Sequence, residues 1–204
     1  MLIRPLPFKQ IADGLAEEGY ALADNFLSPA EVTDIVETDE FRNSKLHLRK
    51  AGIGKRSKQT LEDIRGDYIQ WIDPTIAPPC VRVYLERLRA LIEYLNQNLY
   101  LSLKDVEVHR TLYPVGSHYN RHLDQFKTDD HRKLTIICYL NEDWTSGQGG
   151  QLRMHLPEGP MDILPLAGRL VCFRSDKVEH EVLPATRERL SITGWAVDRD
   201  PNLF

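Results

Sequence analysis

The spacing of the apolar residues changes near residue 100, and this change constrains the fold of the 204-residue chain more than any other feature. Over residues 81–99 apolar side chains recur every three or four positions, which predicts one amphipathic helix after the Pro78-Pro79 break. Beyond it, short β-rich segments alternate with Gly, Pro, Asp or Asn clusters and predict strands at residues 106–108, 134–140, 151–154, 170–173 and 190–197. A helical half followed by a β half predicts an α+β fold, with helices packed outside a β-sandwich or jelly roll.

The first hundred residues carry further helix signals and one segment without periodicity. An apolar stripe over residues 8–15 predicts a first helix, and a short apolar run follows at residues 20–22. Ser28 and Glu31, with Pro29 between them, form a capping box that predicts a second helix. Residues 42–58 are rich in Lys, Arg, Ser and Gly, which predicts a mobile basic loop and a candidate substrate lid.

Size and composition narrow the function classes. The length suits a single catalytic domain spanning residues 1–204, with residues 1–100 as mainly helical support and residues 101–204 as the jelly-roll core; we expect a monomer. A net charge of -4 and a pI near 6.0 argue against nucleic acid as a partner. Three widely spaced cysteines do not form a disulfide framework, which favours a reducing, cytoplasmic location. No segment approaches the roughly 18 apolar residues of a membrane span.

Two imidazoles and one carboxylate form a candidate metal site. His122 and Asp124 are two positions apart after a predicted strand, so in extended chain their side chains point to one side. His180 follows 58 positions later at the start of another strand-like segment. This ligand set is the facial triad of iron(II) oxygenases. A His-x-Asp triplet is common by chance, so the spacing alone leaves a plain structural role open.

Arg189, nine residues after His180, adds a candidate anion-binding group. A guanidinium makes a planar two-point contact with a carboxylate, as the distal end of 2-oxoglutarate requires. The alternative is an ordinary surface arginine in a charged turn beside Arg187 and Glu188. Taken from the residues alone, both interpretations remain open.

Longer motifs resemble a known family over about residues 63–198. They are Asp63-Ile64-Arg65-Gly66-Asp67, Tyr113-Pro114, Arg121-His122-Leu123-Asp124, Tyr139-Leu140-Asn141, Gly149-Gly150-Gln151-Leu152-Arg153, His180-Glu181-Val182-Leu183-Pro184-Ala185 and Thr193-Gly194-Trp195. In this order they resemble the prolyl hydroxylase domain family, the oxygen-sensing hydroxylases of hypoxia-inducible factor and their smaller bacterial relatives.

The resemblance implies a double-stranded β-helix core and an iron(II)- and 2-oxoglutarate-dependent dioxygenase that uses O2, with ascorbate as an expected stimulant. It implies iron ligation by His122, Asp124 and His180. It also implies that Arg189 binds the far carboxylate of 2-oxoglutarate, with Tyr139 as a second donor and Tyr113 lining the same pocket. Asp67 would pair with Arg132 near the substrate entrance, and Trp195 would contact substrate.

The implied substrate is a protein that presents a proline in a loop, and the bacterial relatives suggest a translation factor such as elongation factor Tu. Two alternatives stay open at this point. One is an oxygenase of the same fold that acts on a small molecule or another side chain. The other is a metal-binding sensor module without catalysis, in which the tyrosines and Trp195 are plain core aromatics. The remaining histidines, His47, His109, His118, His131 and His155, are assigned no role in the site.

Overall fold

The computed structural model describes residues 6–42, 48–51, 64–125 and 130–199. Its helices are α1 (Phe8–Glu17), α2 (Pro29–Val36), α3 (Asp39–Arg42) and α4 (Pro79–Leu99). The predicted capping box of α2 is confirmed, because Ser28 Oγ accepts from Glu31 N and a Glu31 carboxylate oxygen accepts from Ser28 N. Helix α4 begins at the predicted proline break and ends where Tyr100 adopts a left-handed conformation, with φ of 55°.

Eleven strands of the described residues form two antiparallel sheets. They are β1 (Tyr20–Ala23), β2 (Arg49–Lys50), β3 (Tyr68–Trp71), β4 (Asp105–Tyr113), β5 (Tyr119–His122), β6 (Arg132–Tyr139), β7 (Leu152–Leu156), β8 (Gly159–Ile163), β9 (Leu170–Arg174), β10 (Glu179–Val182) and β11 (Arg189–Val197). The large sheet has the order β1-β9-β6-β11-β4-β3-β2, and the small sheet has the order β5-β10-β7-β8.

Strand β6 shows how the two hydrophobic cores are divided. Leu134, Ile136 and Cys138 belong to the core between the large sheet and the helices. Ile137 and Tyr139 alternate with them and belong to the core between the two sheets. Since successive side chains of a strand point to opposite faces, one strand supplies both layers. The inner layer becomes the wall of the candidate site.

The predicted architecture is confirmed, namely a jelly roll of two facing sheets with helices outside the larger one. The division at residue 100 is less clean than predicted, because β1, β2 and β3 from the first hundred residues extend the large sheet. Strand β8 was not predicted, and it carries Pro160, which lacks a ladder donor. A proline is tolerated there because β8 is the edge strand of the small sheet.

The predicted basic loop at residues 42–58 lies largely outside the described residues. Where it is described, the prediction of a loop is wrong at Arg42, which ends α3, and at Arg49 and Lys50, which pair with Ile69 and Tyr68 as strand β2. Ala51 continues this contact by donating its N–H to the carbonyl of Asp67, at 3.0 Å. The lid hypothesis stays a prediction for the other residues. Among the described residues, no helix has both the length and the apolarity required to cross a membrane.

Candidate active site

The three predicted metal ligands converge at one end of the small sheet. His122 ends β5 and His180 lies in β10, and the two residues are register partners across these antiparallel strands. Directly paired residues project from the same face, so both imidazoles reach the space between the sheets. Asp124 follows two residues after β5, in a segment held by a hydrogen bond from Gln125 N to Ser175 O, at 3.2 Å.

The ligand atoms of His122, Asp124 and His180 all lie within 4.8 Å of one another. His122 Nε2 is 3.4 Å from Asp124 Oδ1, and His180 Nε2 is 3.6 Å from Asp124 Oδ2. On the other side of each ring, Nδ1 donates to a main-chain carbonyl, that of Asn120 at 2.7 Å and that of Val178 at 3.1 Å. A proton on Nδ1 leaves the Nε2 lone pair for a metal, so both rings are set in the ligating tautomer.

Asp124 is fixed and ionised by its surroundings. Thr135 donates its hydroxyl to Asp124 Oδ2 at 2.7 Å, and the Thr135 oxygen lies 2.9 Å from the Ser175 hydroxyl. Burial would raise the pKa of Asp124, but the adjacent His180 and His122 rings and the Thr135 hydroxyl outweigh burial and hold that pKa well below its usual range. Burial lowers the pKa of His180 to about 4, so this imidazole is neutral near pH 7. Two imidazoles and a carboxylate fit an iron(II) ion.

The same ligands line a cavity of about 320 Å³ between the sheets. Its walls include side chains from both sheets and from the segment before β3, among them Asp67, Trp71, Thr111, Tyr113, Tyr119, Arg132, Ile137, Leu152, Val182, Arg189 and Trp195. Arg189 and the triad therefore open into one space.

Arg189 begins β11 and is 1% exposed. Its guanidinium carbon lies 5.1 Å from the ring centre of Tyr113 and 4.9 Å from that of Tyr139. Its Nε donates to the carbonyl of Gly150 at 2.9 Å. Within the described part of the chain, neither Arg189 Nη2 nor the Tyr139 hydroxyl finds a hydrogen-bond partner. Two buried donors without an acceptor fit a ligand that brings a carboxylate.

Strand pairing brings the residues of this inner pocket together. Arg189 is the register partner of Tyr113 on β4, and Ser191, two residues further along β11, pairs with Tyr139 on β6. Burial raises the pKa of both tyrosines, so the phenols are neutral donors at physiological pH. The arrangement fits the predicted cosubstrate site of Arg189, Tyr139 and Tyr113.

Aromatic rings line another part of the cavity. His109 packs against two indoles, with ring centres 5.1 Å from Trp71 and 5.3 Å from Trp195, and the two indole centres are 6.2 Å apart. The Arg132 guanidinium lies 3.5 Å from the centre of the Trp195 ring. We call the part of the cavity lined by Trp71, His109, Arg132 and Trp195 the outer chamber. Trp71 is 54% exposed and Trp195 is 8% exposed, so the outer chamber leads from solvent into the cavity that holds the triad.

The expected pair between Asp67 and Arg132 is not formed. Arg65 holds both oxygens of Asp67, from Nε at 2.7 Å and from Nη2 at 2.6 Å. Arg132 instead lies on Trp195 and 3.9 Å from Glu107. Arg65 is two residues from Asp67, and its Nε and Nη2 both reach the buried carboxylate. This local two-point contact satisfies the charge of Asp67. Asp67 and Arg132 still line the same cavity.

Several cavity residues were missed from the sequence. Thr135 lies within an apolar run, and only its alternation with Leu134 and Ile136 indicates that it faces the other core. Trp71 was missed because β3 shows no clear alternation of apolar and polar residues, and His109, on β4, was assigned no role in the site. Tyr119, which stacks on His122, was assigned no role from the sequence.

Comparison with known proteins matches this geometry. Residues 107–197 match the model of the 2OG-Fe(II) oxygenase superfamily. The crystal structure of a Pseudomonas putida prolyl-4-hydroxylase is 42% identical, with a TM-score of 0.85 over 95% of this chain and 100% of that chain. A prolyl hydroxylase from Trichoplax adhaerens, in complex with a peptide from the hypoxia-inducible factor oxygen degradation domain, is 26% identical, with a TM-score of 0.86 over 94% and 89% of the two chains.

Curated relatives give the same result over nearly the whole chain. The hypoxia-inducible factor prolyl hydroxylase of Caenorhabditis elegans is 31% identical over 94% of this chain, and human Egl nine homolog 1 is 32% identical over 97%. The chain spans only 28% and 49% of these two relatives, so the similarity covers one part of each.

Proposed function

Because the chain belongs to the 2OG-Fe(II) oxygenase superfamily, we propose that it is a dioxygenase that hydroxylates a prolyl residue of a protein substrate. In this proposal His122, Asp124 and His180 hold iron(II), and Arg189, Tyr139 and Tyr113 hold 2-oxoglutarate. When bound, iron(II) and 2-oxoglutarate supply the chemistry that transfers one oxygen atom of O2 to a C–H bond, while 2-oxoglutarate becomes succinate and carbon dioxide.

One observation carries the proposal: the triad and Arg189, whose Nη2 has no acceptor among the described residues, open into a single cavity. The Tyr139 ring, whose hydroxyl also lacks a partner there, lies 4.9 Å from the Arg189 guanidinium. A triad alone would also suit a metal sensor. The buried donors add a site for a carboxylate beside the metal, which a sensor without cosubstrate does not require.

In this proposal the protein's own residues bind the metal, orient its ligands and shield the reacting atoms from water. Asn120 and Val178 carbonyls fix the imidazoles, and Thr135 fixes the carboxylate of Asp124. Three protein ligands on one side of a metal leave its other positions for cosubstrate and O2. Apolar side chains of Ile137, Leu152 and Val182 lie among the cavity walls and limit the access of water to the reacting atoms.

The outer chamber favours a prolyl substrate. A proline residue has no N–H to donate, so a complementary surface offers aromatic faces for its ring and hydrogen-bond donors for the main-chain carbonyls around it. Trp71 and Trp195 supply aromatic faces. The buried Trp195 Nε1 has no acceptor among the described residues, so it is available to a substrate carbonyl. We therefore keep Trp195 and Arg132 as proposed substrate contacts, and a translation factor such as elongation factor Tu stays a prediction.

The test is capture of the substrate by the inactive Mn(II) and 2-oxoglutarate complex, followed by reaction with iron(II). We expect mass spectrometry to find one added oxygen atom on a single proline of a captured protein. Asp124→Ala serves as the control that should leave that proline unmodified. Turnover of 2-oxoglutarate with oxygen added to a small molecule or to another side chain would contradict the prolyl assignment. Metal binding without any turnover of 2-oxoglutarate would favour the sensor alternative.

A further inference from the structure

A column of stacked side chains ends on one metal ligand. The Tyr119 ring lies on the His122 imidazole, with ring centres 3.6 Å apart and planes 19° apart. The Arg65 guanidinium carbon lies over the Tyr119 ring, 4.3 Å from its centre. Nε and Nη2 of Arg65 then donate to the carboxylate of Asp67, which is fully buried. Asp67 and Arg65 thus reach His122 through Tyr119, and the metal ligands are His122, Asp124 and His180.

The segment that carries Arg65 is fastened to β5. Arg65 and Tyr119 form an antiparallel bridge, and Gly66 N donates to the carbonyl of His118 at 2.9 Å. The approach at Gly66 is close, because a Cβ there would lie 2.7 Å from Ser117 Cβ. The position of the column relative to β5 is therefore set by the main chain as well as by side chains.

His122 has weaker support from the sheet than His180. Strand β5 is an edge strand of four residues, and its pairing with β10 shifts register between His180 and Val182. The side chain of His122 is 18% exposed, compared with 5% for His180. His180 also packs against the core ring of Phe173, with ring centres 4.7 Å apart. For His122 the corresponding aromatic contact is Tyr119, whose other neighbour in the column is Arg65.

We propose that Tyr119 and Arg65, with Asp67 behind them, are positioning residues that hold the His122 imidazole in its ligating orientation. The hydrogen bond to Asn120 fixes the tautomer of the ring, and the stack restricts its rotation. Outer contacts of this kind tune metal affinity although they are not ligands. The inference rests on the metal site of the proposed function and adds that this site extends to Asp67.

The test is Mn(II) affinity of the purified protein without 2-oxoglutarate or substrate, measured by the electron paramagnetic resonance signal of free Mn(II). Tyr119→Leu should raise the dissociation constant about tenfold, because the flat contact is lost. Tyr119→Phe keeps the ring and should stay within about twofold of the wild type. Arg65→Met should weaken Mn(II) binding about threefold or more, because the guanidinium no longer packs on the Tyr119 ring.

Asp162→Asn is the matched control, since Arg153 and Asp162 form the same two-point pair on the outer face of the small sheet. It should leave Mn(II) affinity unchanged. Wild-type affinity in folded Tyr119→Leu and Arg65→Met would overturn the inference; if Tyr119→Leu does not fold, Arg65→Met decides. A further outcome is that Tyr119→Leu and Arg65→Met lose Mn(II) affinity and yet the wild type hydroxylates no proline. That result would support this inference and reject only the proposed substrate. A wild type that binds no Mn(II) would overturn it.

Discussion

The carbonyl oxygen of Gly150 accepts a hydrogen bond from Nε of Arg189, at 2.9 Å, and this contact aims the guanidinium into the cavity. Gly150 has a φ of +71°, and a Cβ there would lie 2.8 Å from Trp144 and 3.0 Å from Ala185. The side chain of Trp144 in turn donates to the carbonyl of Gly149 at 3.0 Å. The Gly149-Gly150 turn therefore supports Arg189 of the proposed cosubstrate site, although neither residue has a side chain.

Gly150→Ala should disturb this contact. Because the added methyl group is strained and crowded, we expect a loss of about 1–3 kcal/mol in the free energy of unfolding and a higher KM for 2-oxoglutarate. Gly147→Ala is the control in the same turn, since a Cβ at Gly147 meets nothing within 4 Å. Urea denaturation and steady-state kinetics measure the two effects. If Gly150→Ala and Gly147→Ala have the same stability and the same KM for 2-oxoglutarate, the Gly149-Gly150 turn does not position Arg189.

Arg189→Lys should raise the KM for 2-oxoglutarate about tenfold or more, because lysine keeps the charge and loses the two-point contact. The KM for the protein substrate should change far less. Arg187→Lys, outside the cavity, should leave both constants unchanged. Kinetics with each substrate varied in turn give the answer. An unchanged KM for 2-oxoglutarate in Arg189→Lys would remove this residue from the site.

Thr135→Val tests the hydrogen bond that orients Asp124. Valine matches the shape of threonine and lacks the donor, so the metal affinity should fall about tenfold. Thr193→Val, on the same cavity wall but bonded to Ser191, should bind metal as the wild type does. Isothermal titration with Mn(II) measures both. Parallel losses in the two variants would indicate a general effect on the fold.

The burial of His109 predicts that the stability of the protein depends on pH. Burial lowers its pKa from 6.5 to about 4, and the nearby Asp67 only partly offsets this. Between these values the unfolded chain takes up a proton that the folded chain does not, so stability falls as the pH drops from 6.5 towards 4. The loss from this residue between pH 7 and pH 5 is about 2 kcal/mol. His109→Gln should show a decline smaller by that amount in urea denaturation at the two pH values, and an identical decline would contradict the burial of a neutral imidazole.

Much of the site followed from the sequence because strands obey a simple alternation. The spacing of His122 and Asp124 predicted that their side chains point to one side. The spacing alone left the roles of His180 and Arg189 open, and the family resemblance supplied them. The period of two fails where both faces of a strand are buried, as in β6, so Thr135 was hidden in an apolar run. The partner of Asp67 was also wrong, because the resemblance indicated Arg132 whereas Arg65 lies closer along the chain and binds it at two points. The stack of Tyr119 on His122 depends on side-chain rotation, which a sequence pattern does not specify.

The most direct measurement of the central claim is succinate formation by the purified protein supplied with iron(II), 2-oxoglutarate and O2. The wild type should convert 2-oxoglutarate to succinate, and captured substrate should accelerate this conversion. Asp124→Ala should form no succinate above background while keeping a far-ultraviolet circular dichroism spectrum close to that of the wild type, because it removes one of three metal ligands. Succinate formation by Asp124→Ala at the wild-type rate, or none by the wild type with its substrate, would contradict the account.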